Sequence, residues 1–107
     1  SNCLERITMV TNNKRYLWCE RTEAEYVKIQ AEIEKRRVEM LALQQHEKLD
    51  WPARKRELED WLERGRQFID RHALGIDDSW EAVCDCAQQG WDDLKTEVRE
   101  MLDESKP

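Results

Sequence analysis

The chain has 107 residues, enough for one domain with a single core and no second domain. Charged and hydrophobic residues each make up 39% of it, with only three Gly and two Pro, a balance typical of helices joined by tight turns. The net charge is −6 and a glutamate directly adjoins each of the basic runs 35–37 and 54–56, so we expect no nucleic-acid binding. The five tryptophans indicate a folded chain, with most of them anchoring its core.

The first predicted helix covers about residues 18–49, because this segment lacks Gly and Pro and is dense in good helix formers. Its apolar residues form a broad stripe, which we expect to face the core and to contact two neighbouring helices. The stripe is centred on Leu17, Ala24, Val27, Ala31, Val38 and Leu41, and it is flanked by Tyr26, Ile29, Ile33, Met40 and Leu43.

The second predicted helix covers residues 52–74. Pro52 suits a first helical turn that Asp50 can cap, and Gly75 provides the stop. Acidic and basic residues four apart should pair on the exposed side, namely Asp60 with Arg64 and Arg66 with Asp70. The residues expected to be buried are Leu58, Trp61, Leu62, Gly65, Phe68, Ile69 and Ala73.

The third predicted helix covers residues 79–103, with Asp78 as its cap and Glu81 in the first turn. Short connections make consecutive helices antiparallel neighbours, so the expected fold is all-α, an up-down-up three-helix bundle forming one domain over residues 14–107. The buried face of the third helix should contain Trp80, Cys84, Ala87, Trp91, Leu94, Val98 and Met101.

Residues 1–13 are expected to form a short irregular or hairpin-like segment, either extended, turned at Asn12-Asn13, or folded back, and the alternative is a frayed helix. The first helix should project beyond the other two by about nine residues, roughly 14 Å. The projecting end would carry Leu17, Trp18 and Tyr26, which need a cover. That cover is residues 1–13, a second copy of the chain, or another protein.

The cysteines do not have the spacing of a metal site. Cys84 and Cys86 lie about 200° apart on a helix and cannot bind one ion together, so no metal or cofactor is expected. Cys84 fits a core position. In a bundle where Cys84 lies level with residues 29–33, a bond to Cys19 would be about 15 Å too long.

A strip of small side chains runs along the third helix at a spacing of four: Ala82, Cys86 and Gly90. Such a strip lets the backbone of another helix approach closely. It is therefore a second candidate contact surface, beside Leu17, Trp18 and Tyr26.

The sequence contains no phosphate loop, no metal-binding His-Glu helix and no nucleophile set with a base, so an enzyme is not expected. The function predicted is a helical protein-interaction or assembly module that binds a protein partner or itself. One alternative is a thiol-based metal or redox protein that combines cysteines from several chains. Another is an exported protein held by disulfides or by a lipid on Cys3. Reduced thiols favour the cytoplasm, and no uncharged apolar stretch reaches the roughly 20 residues that a membrane-spanning helix needs.

Overall fold

The structure is a computed structural model that describes residues 2–42, 51–73 and 79–106, with side chains from residue 14 onward in those ranges. It contains three helices, α1 (Asn2–Ala42), α2 (Trp51–Ala73) and α3 (Trp80–Glu104), and no strand in the ranges described. This confirms the predicted all-α three-helix bundle with a long first helix. The predicted Asp50 cap, the Gly75 stop and Leu43 lie outside the described residues.

The amino terminus differs from the expectation. The backbone is already helical at Asn2, so α1 has 41 residues where an irregular or hairpin-like segment was predicted for residues 1–13. No Gly or Pro interrupts residues 2–42, so no residue there strongly disfavours continuing the helix backward. Asn12-Asn13 also lacks the glycine that makes Asn-Gly a strong hairpin turn.

The predicted boundaries of α2 and α3 are within one residue of the observed ones, but the cap of α3 is Ser79, not Asp78. The Ala82 N–H donates a hydrogen bond to Ser79 Oγ at 3.3 Å, and Ser79 has an extended backbone. Because the helix begins at Trp80, the residue directly before it takes the capping role. Asp78 itself lies outside the described residues.

Ion pairs between helices show the register of the bundle. Helix α2 runs antiparallel to α1, and α3 returns parallel to α1. All three helix pairs contribute, through Glu23 with Arg66, Glu25 with Lys95 (2.6 Å), Glu32 with Arg99, Arg64 with Glu97 (2.6 Å) and Arg54 with Glu104 (2.8 Å). The pairs predicted within α2, Asp60 with Arg64 (2.9 Å) and Arg66 with Asp70 (3.4 Å), are confirmed.

The middle of the core is aromatic. Trp61 and Trp91 are both fully buried, with ring centroids 6.1 Å apart, and Trp61 Nε1 donates a hydrogen bond to the Leu94 carbonyl at 2.7 Å. Tyr26 stacks on Trp61 at 6.0 Å. Gly65 makes this possible, since a Cβ there would lie 3.2 Å from the Tyr26 ring. Residues confirmed as buried on the predicted faces are Leu58, Trp61, Gly65 and Ile69 of α2 and Trp80, Ala87, Trp91, Val98 and Met101 of α3. Leu62, Phe68, Cys84 and Leu94 are only partly buried, and Ala73, also predicted to be buried, is exposed.

On α1 the predicted core face is wrong. The centre of its apolar stripe is exposed: Leu17, Val27, Val38 and Leu41 each expose more than half of their surface, and Ala24 and Ala31 are also exposed. The flank, together with Trp18, is buried instead: Trp18, Tyr26, Ile29, Ile33 and Met40. The two sets lie on nearly opposite sides of the helix. Burying the set with two large aromatic rings removes more apolar surface from water.

Candidate interaction surfaces

Helix α1 continues well beyond the ends of α2 and α3. The rings of His72, in the last turn of α2, and Trp80, in the first turn of α3, both lie against Trp18, at 5.7 and 5.2 Å between centroids. Residues 2–13 therefore form an overhang of about 18 Å at 1.5 Å per residue. The molecule measures 64 Å along its longest axis, whereas α2 and α3 span only about 34 and 37 Å.

The predicted projection exists, but two of the three residues assigned to it lie inside the bundle. Trp18 and Tyr26 are only 5% and 6% exposed. Trp18 Nε1 donates to Gln88 Oε1 at 3.1 Å, and the Tyr26 hydroxyl donates to the Leu62 carbonyl at 2.8 Å. Both side chains are core anchors, and only Leu17, 53% exposed, remains available to a partner.

The longer α1 also changes the level of the cysteines. Cys84 lies beside Trp18 at the end of the bundle, not level with residues 29–33, so the distance argument against a bond to Cys19 used the wrong register. Both thiols are free, as is that of Cys86. Cys84 packs against the core only partly buried, and burial raises the pKa of the Cys19 thiol.

The three residues of the small strip on α3 do not together contact another helix of the chain. Ala82 and Cys86 are exposed. Gly90 instead accommodates Phe68 of α2, because a Cβ at this position would lie 2.7 Å from Phe68 Cζ. One residue of the strip thus has an intramolecular role, and the other two remain on the surface.

An open groove of about 490 Å³, the end groove, lies between α1 and α3 beside the overhang. Gln88 crosses its floor, where its Oε1 accepts hydrogen bonds from Trp18 Nε1 and from Arg21 at 2.7 Å. Cys84 Sγ, which also lines the groove, lies 3.9 Å from Asp85 Oδ1. The groove has room for a side chain of a partner. The lining residues are Lys14, Leu17, Trp18, Arg21, Trp80, Cys84, Asp85 and Gln88.

The outer face of α1 is the larger surface. It consists of Leu17, Ala24, Val27, Ala31, Val38 and Leu41, all of them exposed, and it extends over 25 residues, or about 37 Å. Glu20 and Glu34 interrupt it, while Arg21, Lys28 and Lys35 form a basic row along one edge. An ion pair with Arg37 lowers the pKa of Glu34, so this carboxylate is charged at neutral pH.

Sequence reasoning placed the outer face in the core, although the spacing contained a signal. Leu17, Ala24, Ala31 and Val38 recur every seven residues, which is the period of a helix seam facing another helix. The bulkier aromatic residues, Trp18 and Tyr26, mark the other stripe. Because α1 has two apolar stripes and the bundle buries one of them, the other stays exposed on the surface.

Within the described ranges, no three His, Cys, Asp or Glu side chains converge as metal ligands do. None of the described helices combines the length and apolar character needed to cross a membrane. Comparison of the chain with protein-family models, curated proteins and solved structures found no match.

Proposed function

We propose that the protein is a non-enzymatic helical module for protein interaction or assembly. The observation that carries this proposal is α1, which extends past both partner helices and also carries apolar side chains on the side away from them. A helix is stabilised in water mainly by packing one face against other elements. The described residues of α2 and α3 end level with Trp18 and do not extend along residues 2–13 to provide that packing.

The energetics favour a partner. The overhang continues a helix that the bundle nucleates, but most helical stability in proteins comes from packing an apolar face, so another surface packed on the overhang would stabilise it further. Along residues 17–41 the bundle already supports α1, and its exposed apolar surface is available without any cost of folding. The two regions are continuous, so one partner helix can contact both.

A helix-breaking substitution tests the proposal in the full-length chain. Thr8→Pro should break α1 within the overhang while the bundle from Trp18 onward stays intact, because proline in a helix interior costs about 3 kcal/mol or more. Asn2→Pro is the matched control, since proline is tolerated in a first helical turn. Both variants and the parent chain serve as bait for affinity capture. Amide hydrogen exchange is then measured on any complex that is recovered.

We expect a partner that the parent chain and Asn2→Pro retain and Thr8→Pro loses, with slowed amide exchange in residues 2–13 on binding. Amides in residues 2–13 that exchange as slowly as those of residues 18–40 in the dilute free protein would contradict the proposal. They would show that the overhang needs no partner. Equal capture by all three baits would exclude the overhang as the contact.

A further inference from the structure

We infer that α1 binds an amphipathic helix of another protein, one that carries a row of acidic side chains along one edge of its apolar seam. This inference rests on the proposed function and names the chemistry of the partner. It depends on a row of basic side chains, the basic edge, which runs beside the outer face at intervals of seven residues. The basic edge consists of Lys14, Arg21, Lys28 and Lys35, all of them exposed.

Three of the four side chains of the basic edge have no carboxylate partner. Within the described ranges, Lys14, Lys28 and Lys35 form no ion pair. Arg21 donates a hydrogen bond to Gln88 Oε1 at 2.7 Å, and its guanidinium lies 4.0 Å from Glu25. The positive charge of the three lysines is therefore available to a partner.

Folding of the bundle explains why two of these lysines are unpaired. On an isolated helix, a glutamate four residues after Lys28 or Lys35 is placed to pair with it. In the bundle, Glu32 instead pairs with Arg99 of α3. Glu39 lies 3.6 Å from Arg36, one turn back on α1. These other pairs occupy the neighbouring carboxylates and leave the basic edge uncompensated.

The outer face and the basic edge together match one side of a coiled coil between different chains. A basic residue follows Leu17, Ala24 and Ala31 by four, so the charged row runs parallel to the apolar row. Charged rows beside a coiled-coil seam select the partner and its orientation. A second copy of the chain fits poorly. Antiparallel pairing would oppose the basic edge to itself, and parallel pairing would oppose Glu20 and Glu34 each to its own copy.

The end groove lies on the same path and adds a pocket to it. Its lining includes Lys14 and Arg21 of the basic edge and Leu17 of the outer face, with Trp80 of α3 beside them. A helix packed on the outer face therefore passes the open side of this groove and can place one side chain in it. Asp85 is the carboxylate in the lining, against the two cations.

The length of α1 sets the size of the contact. Its backbone is helical through the overhang, and positions 3 and 10 continue the seven-residue row of the outer face. A strip from residue 3 to residue 41 is about 57 Å long and about 10 Å wide, or roughly 570 Å² on each partner. The total of roughly 1,100 Å² is in the range of transient complexes, so we expect a micromolar or weaker affinity.

Two synthetic helical peptides test the inference. Each has about 28 residues, or four heptads, with an apolar seam; one carries glutamate along the flanking row and its twin carries lysine. The full-length chain is titrated with each peptide by calorimetry at low ionic strength. We expect the glutamate peptide to bind at least tenfold more tightly than the lysine peptide, and added salt to reduce that ratio.

Charge reversal on the protein locates the contact. Lys28→Glu combined with Lys35→Glu should reverse the preference, so that the lysine peptide binds more tightly. Lys55→Glu combined with Lys106→Glu is the matched control, because it changes the net charge equally at exposed sites away from α1. The control should keep the preference of the parent chain, and circular dichroism checks that each variant keeps its helices.

Other results would overturn the inference. Equal binding of the two peptides, or no binding at about 1 mM, would show that the basic edge does not select a partner. Dimerisation of the chain, or binding to phosphatidylserine vesicles, with both peptides ignored would assign the face to a second copy or to a lipid surface. The proposed function is tested separately, since capture that depends on Thr8 can succeed when both peptides fail.

Discussion

The contact between Gly90 and Phe68 yields the sharpest stability prediction. Replacing Gly90 with alanine would place a Cβ 2.7 Å from Phe68 Cζ and 2.8 Å from Phe68 Cε2, closer than carbon atoms normally approach. The Phe68 ring has limited room to retreat, because the His72 ring centroid lies 4.4 Å away and that of Trp18 6.4 Å away. Gly90→Ala must therefore shift the ring or separate α2 from α3.

Two opposing effects set the magnitude. Alanine is favoured over glycine in a helix interior by about 1 kcal/mol, whereas overpacking costs about 1–3 kcal/mol. We expect Gly90→Ala to lower the free energy of unfolding by about 1 kcal/mol. For a domain of this size, that corresponds to a melting temperature lower by about 4–8 °C. Urea unfolding followed by circular dichroism measures the free energy of unfolding and its dependence on urea concentration.

A double-mutant cycle isolates the steric cause. Once Phe68→Ala has removed the ring, Gly90→Ala should raise the free energy of unfolding by about 1 kcal/mol, because only the helix preference remains. Gly65→Ala is a milder comparison, since its Cβ would lie 3.2 Å from Tyr26. Stabilisation by Gly90→Ala to the same extent with and without the Phe68 ring would refute the steric reasoning.

Three further predictions concern the core, the ion pairs and the thiols. Trp61→Phe should lower the free energy of unfolding by about 2 kcal/mol in urea, since it removes the hydrogen bond to the Leu94 carbonyl and leaves unfilled space in the core; an unchanged midpoint would count against this. The hydrogen bond from Arg66 lowers the pKa of Glu23, so the stability from this pair is complete above the pKa of an unfolded glutamate. It should fade as pH falls through the lower folded value, by less than about 1 kcal/mol because both side chains are partly exposed, and Glu23→Gln should abolish that part of the acid dependence. Iodoacetamide should alkylate exposed Cys86 before Cys19, whose pKa is raised by burial, and peptide mass mapping showing equal rates would contradict this.

The local features of the chain were readable from sequence because they depend on near neighbours. Pro52 at the start of α2, and the scarcity of glycine within the helical segments, predicted three helices. The observed bounds of α2 and α3 agree with the predicted ones to one residue. Their buried faces were also readable. Each of these helices has a single apolar stripe that contains tryptophans, so only one orientation buries it.

Helix α1 shows where sequence reasoning stops. It has two apolar stripes on opposite sides, and periodicity cannot say which one meets α2 and α3. Tertiary packing made that choice, through the fit of Tyr26 over Gly65 and of Trp18 against Trp80. The same contacts fixed the level of α3 along α1, and with it the overhang and the position of Cys84. The chain by itself determined three helices and the bounds of α2 and α3, because propensity and capping act within a few residues. The exposed face was decided only by packing, since burial depends on shape complementarity between distant segments.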